Sequence, residues 1–340
     1  MAEVSARSPE RQSERTSSLL GEFLARDERP AITVIIPTKD RPVLVRRALK
    51  SALEQVGVDV HIVVVDDGSR VPLDTAAWGL FPNVRFLRNR RPRGVARARN
   101  MGLGLATTPF VAFLDDDDVW APTKLGAQID AMRGHPGARW SAIGSMTVGP
   151  GLEPLAIRMP PKNTDEVLAT NPIPGGGSGV VAATSLVRQL GGFNEWLGPF
   201  ADWDMWIRLA MISPLASVHE VHMGYMLHPQ GMSAETGRHE LELRWIERAY
   251  RVDRELTKRD LDVSSMYSYI ASSHQRGGRV WHAARAQFAL AVRSRRPAMI
   301  VSTMLRGIIR PGRFVPENIR RHQRSGRPTI EAPAWLIALR

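Results

Sequence analysis

The sequence contains no cysteine. That excludes a disulfide framework, a thiolate zinc site, an iron–sulfur cluster and a cysteine nucleophile. Aromatic residues are sparse at 6%, and lysine is rarer still, confined to positions 39, 50, 124, 162 and 258. No apolar run approaches 18 residues, so no segment reads as a membrane-spanning helix. The opening stretch, MAEVSARSPERQSERTSS, has no apolar h-region and does not read as a secretory signal; a cytoplasmic protein is the expectation. Neither GxGxxG after the first apolar strand nor GxxxxGK[ST] occurs, which argues against a dinucleotide enzyme and a P-loop NTPase.

What is present points to a folded protein with a divided charge. Hydrophobic residues make up 43% of the 340 positions and charged residues 24%, normal for a globular chain. Residues 1–250 are neutral, whereas residues 251–340 hold 18 basic against 6 acidic residues and carry the whole net charge of +12. A basic tail of this kind suits a polyanion, either nucleic acid or an anionic membrane surface, and equally suits a solvated arginine-rich face.

Residues 1–29 are charged and Ser-rich and read as a flexible arm. An alternation then begins. ITVIIPT (Ile32–Thr38) predicts a buried strand, and PVLVRRALKSALEQ (Pro42–Gln55) a helix with proline in its first turn. VDVHIVVVDDGS (Val58–Ser69) and NVRFLRN (Asn83–Asn89) predict strands, GVARARNMGLGLA (Gly94–Ala106) a helix, and FVAFLDDDD (Phe110–Asp118) a fourth strand. Continuous apolar strands alternating with helices imply a parallel sheet covered on both faces, with ligands bound beyond the carboxyl ends of its strands. Further on, the pattern predicts a helix over PTKLGAQIDAMRGHPG, a strand over SAIGSMTVG and a loop over 150–176. A strand and helix follow over GVVAATSLVRQLGGF, then a helix over ADWDMWIRLAM and a strand over VHEVHMGYMLH. Residues 237–325 read as mostly helical, with a hairpin turning at Gly277-Gly278.

Two strands end in acids, Asp66-Asp67 and Asp115 to Asp118, on the same predicted sheet edge. Six carboxylates gathered there would repel unless a cation or hydrogen-bond donors neutralise them. Mg²⁺ or Mn²⁺ does so with oxygen ligands, taking one or two carboxylates plus substrate phosphates. Helix capping accounts for one or two of the four acids, not for all of them. Arg93, Arg97 and Arg99 lie near in sequence and would help hold phosphates.

In order along the chain, VIIPTKDRP (Val34–Pro42), VVVDDGS (Val63–Ser69), RGVARARNMG (Arg93–Gly102) and FLDDDDVWAPTKL (Phe113–Leu125) come first. GGFNEWL (Gly191–Leu197) with ADWDMWIRLA (Ala201–Ala210), and HPQGMS (His228–Ser233), complete the set. Together they resemble the family 2 glycosyltransferases, over about 32–235. The resemblance implies a GT-A fold, a Rossmann-like mixed and mainly parallel sheet with helices on both faces. It also implies transfer of a sugar from a nucleotide-sugar to an acceptor hydroxyl, with inversion, assisted by Mn²⁺ or Mg²⁺.

Carried over residue by residue, the resemblance puts Pro37, Thr38, Asp66 and Asp67 in the nucleoside pocket and Arg99 and Asn100 beside the donor. Asp115, Asp116 and Asp117 match the D-x-D. Asp117 is then the metal ligand, Asp115 a ribose or metal contact and Asp116 the variable middle position, while Asp118 caps the next helix. His228 matches a histidine that completes the donor or metal site. Asp202 matches the general base, with Asp204 as the alternative; Ala201 stands where the family pattern has Glu. Gly176 and Gly177, in PIPGGGSGV (Pro172–Val180), and Trp196 and Trp203 fall on the acceptor or sugar side.

The expected organisation is an arm (1–29), a GT-A catalytic domain (30–236) and a basic helical region (237–340). Expected partners are a nucleotide-sugar, UDP-linked in preference to dTDP- or GDP-linked, and a hydroxyl acceptor on a glycan, a lipid carrier or a small molecule. The apolar stretches AMIVSTML (Ala298–Leu305) and AWLIAL (Ala334–Leu339) among arginines suggest peripheral contact with the inner face of an anionic membrane, or else a helical cap or homodimer contact. Nucleic acid is disfavoured because the neutral part carries the acid clusters. A nucleotide-sugar-binding pseudoenzyme is the competing reading, motivated by Ala201.

Overall fold

The structure, a computed structural model, describes residues 29–78, 81–227, 238–250, 263–276, 278–293 and 330–340. The expectations for the arm at 1–28, for His228, for Gly277 and for the stretch at 298–305 lie outside the described residues.

The first half folds as its alternation predicts. β1 (Ala31–Thr38), α1 (Pro42–Leu53), β2 (Asp59–Asp66), β3 (Val84–Arg88), α2 (Val95–Leu105) and β4 (Phe110–Phe113) follow in order. Each of β1, β2 and β4 is apolar on both faces, so both faces must be covered, and α1 and α2 pack against them. Gly102 permits the approach of α2 to β1: a Cβ there would fall 2.5 Å from Ile35 Cγ2. Further along come β5 (Val119–Trp120), β6 (Trp140–Val148), β7 (Pro154–Arg158), β8 (Val180–Ala183) and β9 (Leu215–Met226), and among the described residues the sheet has nine strands in the order β3-β2-β1-β4-β8-β6-β9-β5, with β7 paired to β6. β1 to β4, β6 and β9 run one way; β5, β7 and β8 run against them.

Three sequence expectations are corrected. The fourth strand does not continue through the acids. β4 stops at Phe113, Asp115 to Asp118 form a turn closed by Asp118 N–H to Asp115 O (3.1 Å), and β5 (Val119–Trp120) pairs with β9 (Leu215–Met226) at the far edge. Four successive carboxylates cannot be buried on both faces of a ladder. Residues 150–176 are not a plain loop. They hold β7 (Pro154–Arg158) and α4 (Thr164–Ala169), whose N-terminus is capped by Asn163 Oδ1 accepting from Glu166 N–H. AWLIAL is not free for a membrane: Leu336 and Leu339 are buried against Val119, Met146, Val148 and Met226.

Between these pieces lie α3 (Lys124–Gly134), β6 (Trp140–Val148), β8 (Val180–Ala183), α5 (Thr184–Gln189) and α6 (Ala201–Ala210). The C-terminal part supplies α7 (His239–Ala249), α8 (Val263–Arg276) and α9 (Val280–Arg293). Phe200, Trp203 and Ile207 from the α6 region share a core with Leu243 and Ile246 of α7, Ile270 of α8 and Leu290 of α9. The helical region therefore buttresses α6, whose first turn carries Asp202.

Candidate active site

Strand register brings the acids together. Thr38 at the end of β1 lies opposite Asp66, and β1 pairs with β4 so that Ile35 faces Phe113. Three residues beyond that pair, Thr38 Oγ1 donates to Asp116 Oδ2 at 2.7 Å. The carboxyl edges of β1, β2 and β4 thus form one rim, with Pro37 buried in it.

Within the rim the two acid clusters differ. Asp67 is spent on the backbone: it accepts from Arg93 N–H, Gly94 N–H and Asn89 Nδ2 and fixes the loop that starts α2. Asp66 Oδ1 accepts from Ser69 N–H, while its buried Oδ2 has no hydrogen-bond partner and lies 3.5 Å from Arg88 Nη1. Of the pair, Asp66 is the carboxylate with acceptor capacity left for a base.

The 115–118 turn is held by arginines. Arg41 Nη1 donates to Asp116 Oδ1 (2.8 Å) and Asp117 Oδ2 (2.9 Å). Arg47, on α1, adds attraction toward Asp117 and Asp118. Burial, followed by repulsion from Asp117, pushes the Asp116 carboxyl up to about 6. Burial with Asp117 and Asp115 nearby pushes Asp118 well above the carboxylate range. Asp118 is not a helix cap: it is buried and its Oδ1 accepts from Met226 N–H on β9, far from the start of α3.

Arg99 is the hub of the site and has no exposure. Its Nη2 donates to Asp115 Oδ1 at 2.6 Å and its Nη1 to Asp202 Oδ1. Burial opposes its charge, but Asp115 and Asp202 outweigh that and keep the guanidinium ionised. It ties the acid turn to the first turn of α6. Asp202 Oδ2 also accepts from Gly177 N–H at 2.9 Å, and Ser178 Oγ accepts from Asp115 N–H. Gly176 and Gly177 leave no room for a side chain, since a Cβ would fall 2.8 Å from Asp202 Oδ2 and 2.6 Å from Arg99 Nη2 respectively.

Three further candidates are corrected. Asn100 is not free for the donor: its amide is engaged by Phe193 N–H, Phe193 O and Glu195 Oε1, so it shapes the loop before α6. Asp204 is buried and faces away, paired with Arg208 and accepting from Tyr250 Oη. Trp203 is core, its Nε1 donating to Thr170 O. Trp196 alone of the tryptophans near Asp202 stays exposed, at 43%, with the Arg238 guanidinium 5.2 Å over its ring and Trp245 beside it.

Sequence reasoning missed Arg41, Ser178 and Glu242. Glu242 on α7 is wholly buried and accepts from Gly198 and Phe200 N–H, pinning the lead-in to Asp202. Only Arg41 carried a signal: a cation directly before the proline that opens a helix, where the dipole disfavours it.

A divalent cation fits the donor set. Asp115 and Asp117 offer hard oxygen ligands, and the buried Asp118 Oδ2 has no partner. Five acidic side chains (Asp115, Asp116, Asp117, Asp118 and Asp202) meet three guanidiniums (Arg41, Arg47 and Arg99), and the upward push on Asp116 and Asp118 shows that the arginines do not fully offset the crowding of acids. Among the described residues no three acidic or histidine side chains converge as a ready-made cage, so substrate phosphates would complete the shell.

Residues 33–174 match the model of glycosyl transferase family 2. That segment of the chain is what is similar to the family. The match spans the rim from β1 through the acid turn to the loop before Gly176. Similar proteins include a pre-mycofactocin glycosyltransferase of Mycobacterium tuberculosis, 29% identical over 197 residues, covering 52% of this chain and 38% of that one. A UDP-Glc:alpha-D-GlcNAc-diphosphoundecaprenol beta-1,3-glucosyltransferase of Escherichia coli, WfgD, is 30% identical over 105 residues, covering 30% and 40%. The chain thus spans less than half the length of either relative. S. aureus TarS 1–349 shares the fold, with a TM-score of 0.52 at 16% identity over 87% of this chain and 92% of that one. The GT-A sheet and the C-terminal helical region are thereby established.

Proposed function

We propose that this chain is a nucleotide-sugar-dependent inverting glycosyltransferase with Asp202 as its general base. One observation carries the reading: Arg99, fully enclosed, bonds at once to Asp115 of the acid turn and to Asp202. A base for the acceptor and a carboxylate for the donor side are thereby held in fixed relation, as displacement at a single carbon requires. Asp202 takes the proton of the acceptor hydroxyl as its oxygen bonds to the anomeric carbon. The bond from that carbon to the diphosphate oxygen breaks on the opposite face, which inverts the centre. Arg99 and Gly177 N–H hold the Asp202 carboxylate in orientation. Asp66 and Thr38 line the base and ribose side, and Asp117, with Asp115 and Asp118, would hold a divalent cation. When bound, that cation would stabilise the charge growing on the departing diphosphate. Ala201, where the family pattern has Glu, is fully buried among apolar side chains. A carboxylate there would face the core, so its loss leaves Asp202 intact.

A UDP-sugar is the favoured donor, since WfgD is a UDP-glucose enzyme. Nucleoside diphosphate release from UDP-, dTDP- and GDP-sugars, with and without Mn²⁺, tests the reading. Mn²⁺-dependent release with one nucleotide is the expected result. Strong stabilisation of the fold by a nucleotide-sugar, with no release on any glycan or lipid-linked acceptor, would instead establish a pseudoenzyme.

A second observation favours an acceptor at a membrane. Trp281 is 85% exposed and Phe288 52%, and with Arg285 between them at helical spacing they share one face of α9. An aromatic-and-arginine face in a segment carrying +12 suits an anionic bilayer surface. Co-sedimentation with vesicles containing anionic lipid is expected, weakened by salt and reduced in a Trp281→Ser, Phe288→Ser double variant. Equal binding to neutral vesicles, or none at low salt, would point to a soluble acceptor.

A further inference from the structure

Arg41 stands at the N-cap position of α1 yet makes no side-chain cap. Its side chain turns instead onto the acid turn, where a single nitrogen serves both Asp116 and Asp117. The backbone is bent to put it there. Asp40, directly before it, sits at φ +57°, in the left-handed region. That turn is pinned by Asp40 N–H donating to Ser69 Oγ and by the Asp40 carboxylate accepting from Arg70 N–H. A cation at a helix N-terminus opposes the dipole, and the bonds to Asp116 and Asp117 favour this placement against it. Arg41 also differs from Arg99 in access: 22% of its side chain is exposed, against 1% for Arg99. It can be reached, and released, by a ligand.

We propose that Arg41 competes with the divalent cation for Asp117, so that the cation binds well only together with a nucleoside diphosphate. The inference rests on the metal reading of Asp117 given above. An ion on Asp117 must share that carboxylate with a guanidinium already bonded to it, and the two cations repel. A diphosphate removes the conflict, because a guanidinium matches phosphate oxygens as well as carboxylate. Arg41 then exchanges its acidic partners for the nucleotide, and the Asp117 oxygen it held becomes available to the ion. By linkage, nucleotide and ion must tighten one another by the same factor. The site would thereby resist loading with metal alone.

The test measures Mn²⁺ affinity by electron paramagnetic resonance, without and with UDP, dTDP or GDP, in the wild-type chain and in Arg41→Met. Wild type should bind Mn²⁺ weakly alone and roughly 5–150-fold more tightly with the matching nucleotide, the usual range for coupled sites. Arg41→Met should bind Mn²⁺ alone more tightly than wild type, and the nucleotide, which still supplies phosphate ligands, should tighten it by a smaller factor than in wild type. A merely structural arginine predicts the reverse, since its loss would loosen the turn and weaken the ion. Arg41→Gln, which keeps a hydrogen-bond donor without charge, should behave like Arg41→Met and guards against a folding defect in the latter. Unchanged or weaker Mn²⁺ binding in both variants, with wild-type coupling intact, overturns the exchange and leaves the metal reading standing. Absence of Mn²⁺ binding in wild type with all three nucleotides overturns the metal reading, and the exchange with it.

Discussion

Asp202→Asn is expected to slow sugar transfer by roughly 10²–10⁴ while leaving nucleotide-sugar affinity nearly unchanged. The amide keeps the shape of the carboxylate, and its single oxygen can still accept from Arg99 or from Gly177 N–H, though not from both, because these meet different oxygens of Asp202. It cannot take the acceptor's proton. Arg99 retains Asp115 as a charged partner, so the enclosed guanidinium is not stranded and the fold should hold. The loss should fall on kcat, not on donor KM, because the proposed role puts Asp202 on the acceptor side. Asp204→Asn makes the contrasting measurement. Asp204 is buried between Arg208 and Tyr250, and removing its charge breaks a buried pair at a cost of about 3–5 kcal/mol. Its signature is a lowered melting temperature, with near-normal turnover in the cold. Full activity in Asp202→Asn beside a folded but inactive Asp204→Asn would move the base to Asp204.

The split between these neighbouring acids shows what a sequence can and cannot carry. Strand positions were legible because ITVIIP and IVVV are buried on both faces, and burial on both faces leaves a continuous apolar run. The meeting of Asp66 with the 115–118 turn followed from parallel topology, which puts the carboxyl ends of successive strands on one edge. The pairing of each acid was not legible. Arg99 reaches Asp202 across 103 positions and Glu242 reaches Gly198 across 44, and no local period reports such contacts. Trp196 and Trp203 illustrate the same limit. Both lie in one tryptophan-rich stretch, yet Trp203 points at α7 to α9 and Trp196 at solvent. The helices that decide this begin at His239, 36 residues beyond Trp203 and 43 beyond Trp196. Helix α4 was missed for a different reason: six residues are too few to show a period, and only the Asn163 cap marks its start.

Asp117→Ala should abolish detectable transfer and Mn²⁺ dependence together, in a protein that melts no lower than wild type. A lost cation removes several kcal/mol of transition-state stabilisation, and at about 1.4 kcal/mol per decade that is roughly a thousandfold or more. The fold is spared because Asp117 lies in a turn outside the buried core, and its charge burdens its neighbours. Repulsion from Asp117 is one of the causes, after burial, that push Asp116 up to about 6 and Asp118 well above the carboxylate range. Removing it relieves both. Asp116→Ala separates the ligand from the scaffold. Asp116 is buried and bridges Thr38 to Arg41, so its loss should lower stability by about 1–3 kcal/mol while Mn²⁺ binding survives. Mn²⁺ titration, calorimetric melting and nucleotide release on the two variants read these effects independently. An Asp117→Ala protein that transfers sugar at the wild-type rate, or an Asp116→Ala protein that keeps its stability but loses Mn²⁺, would reverse the roles assigned to the two acids.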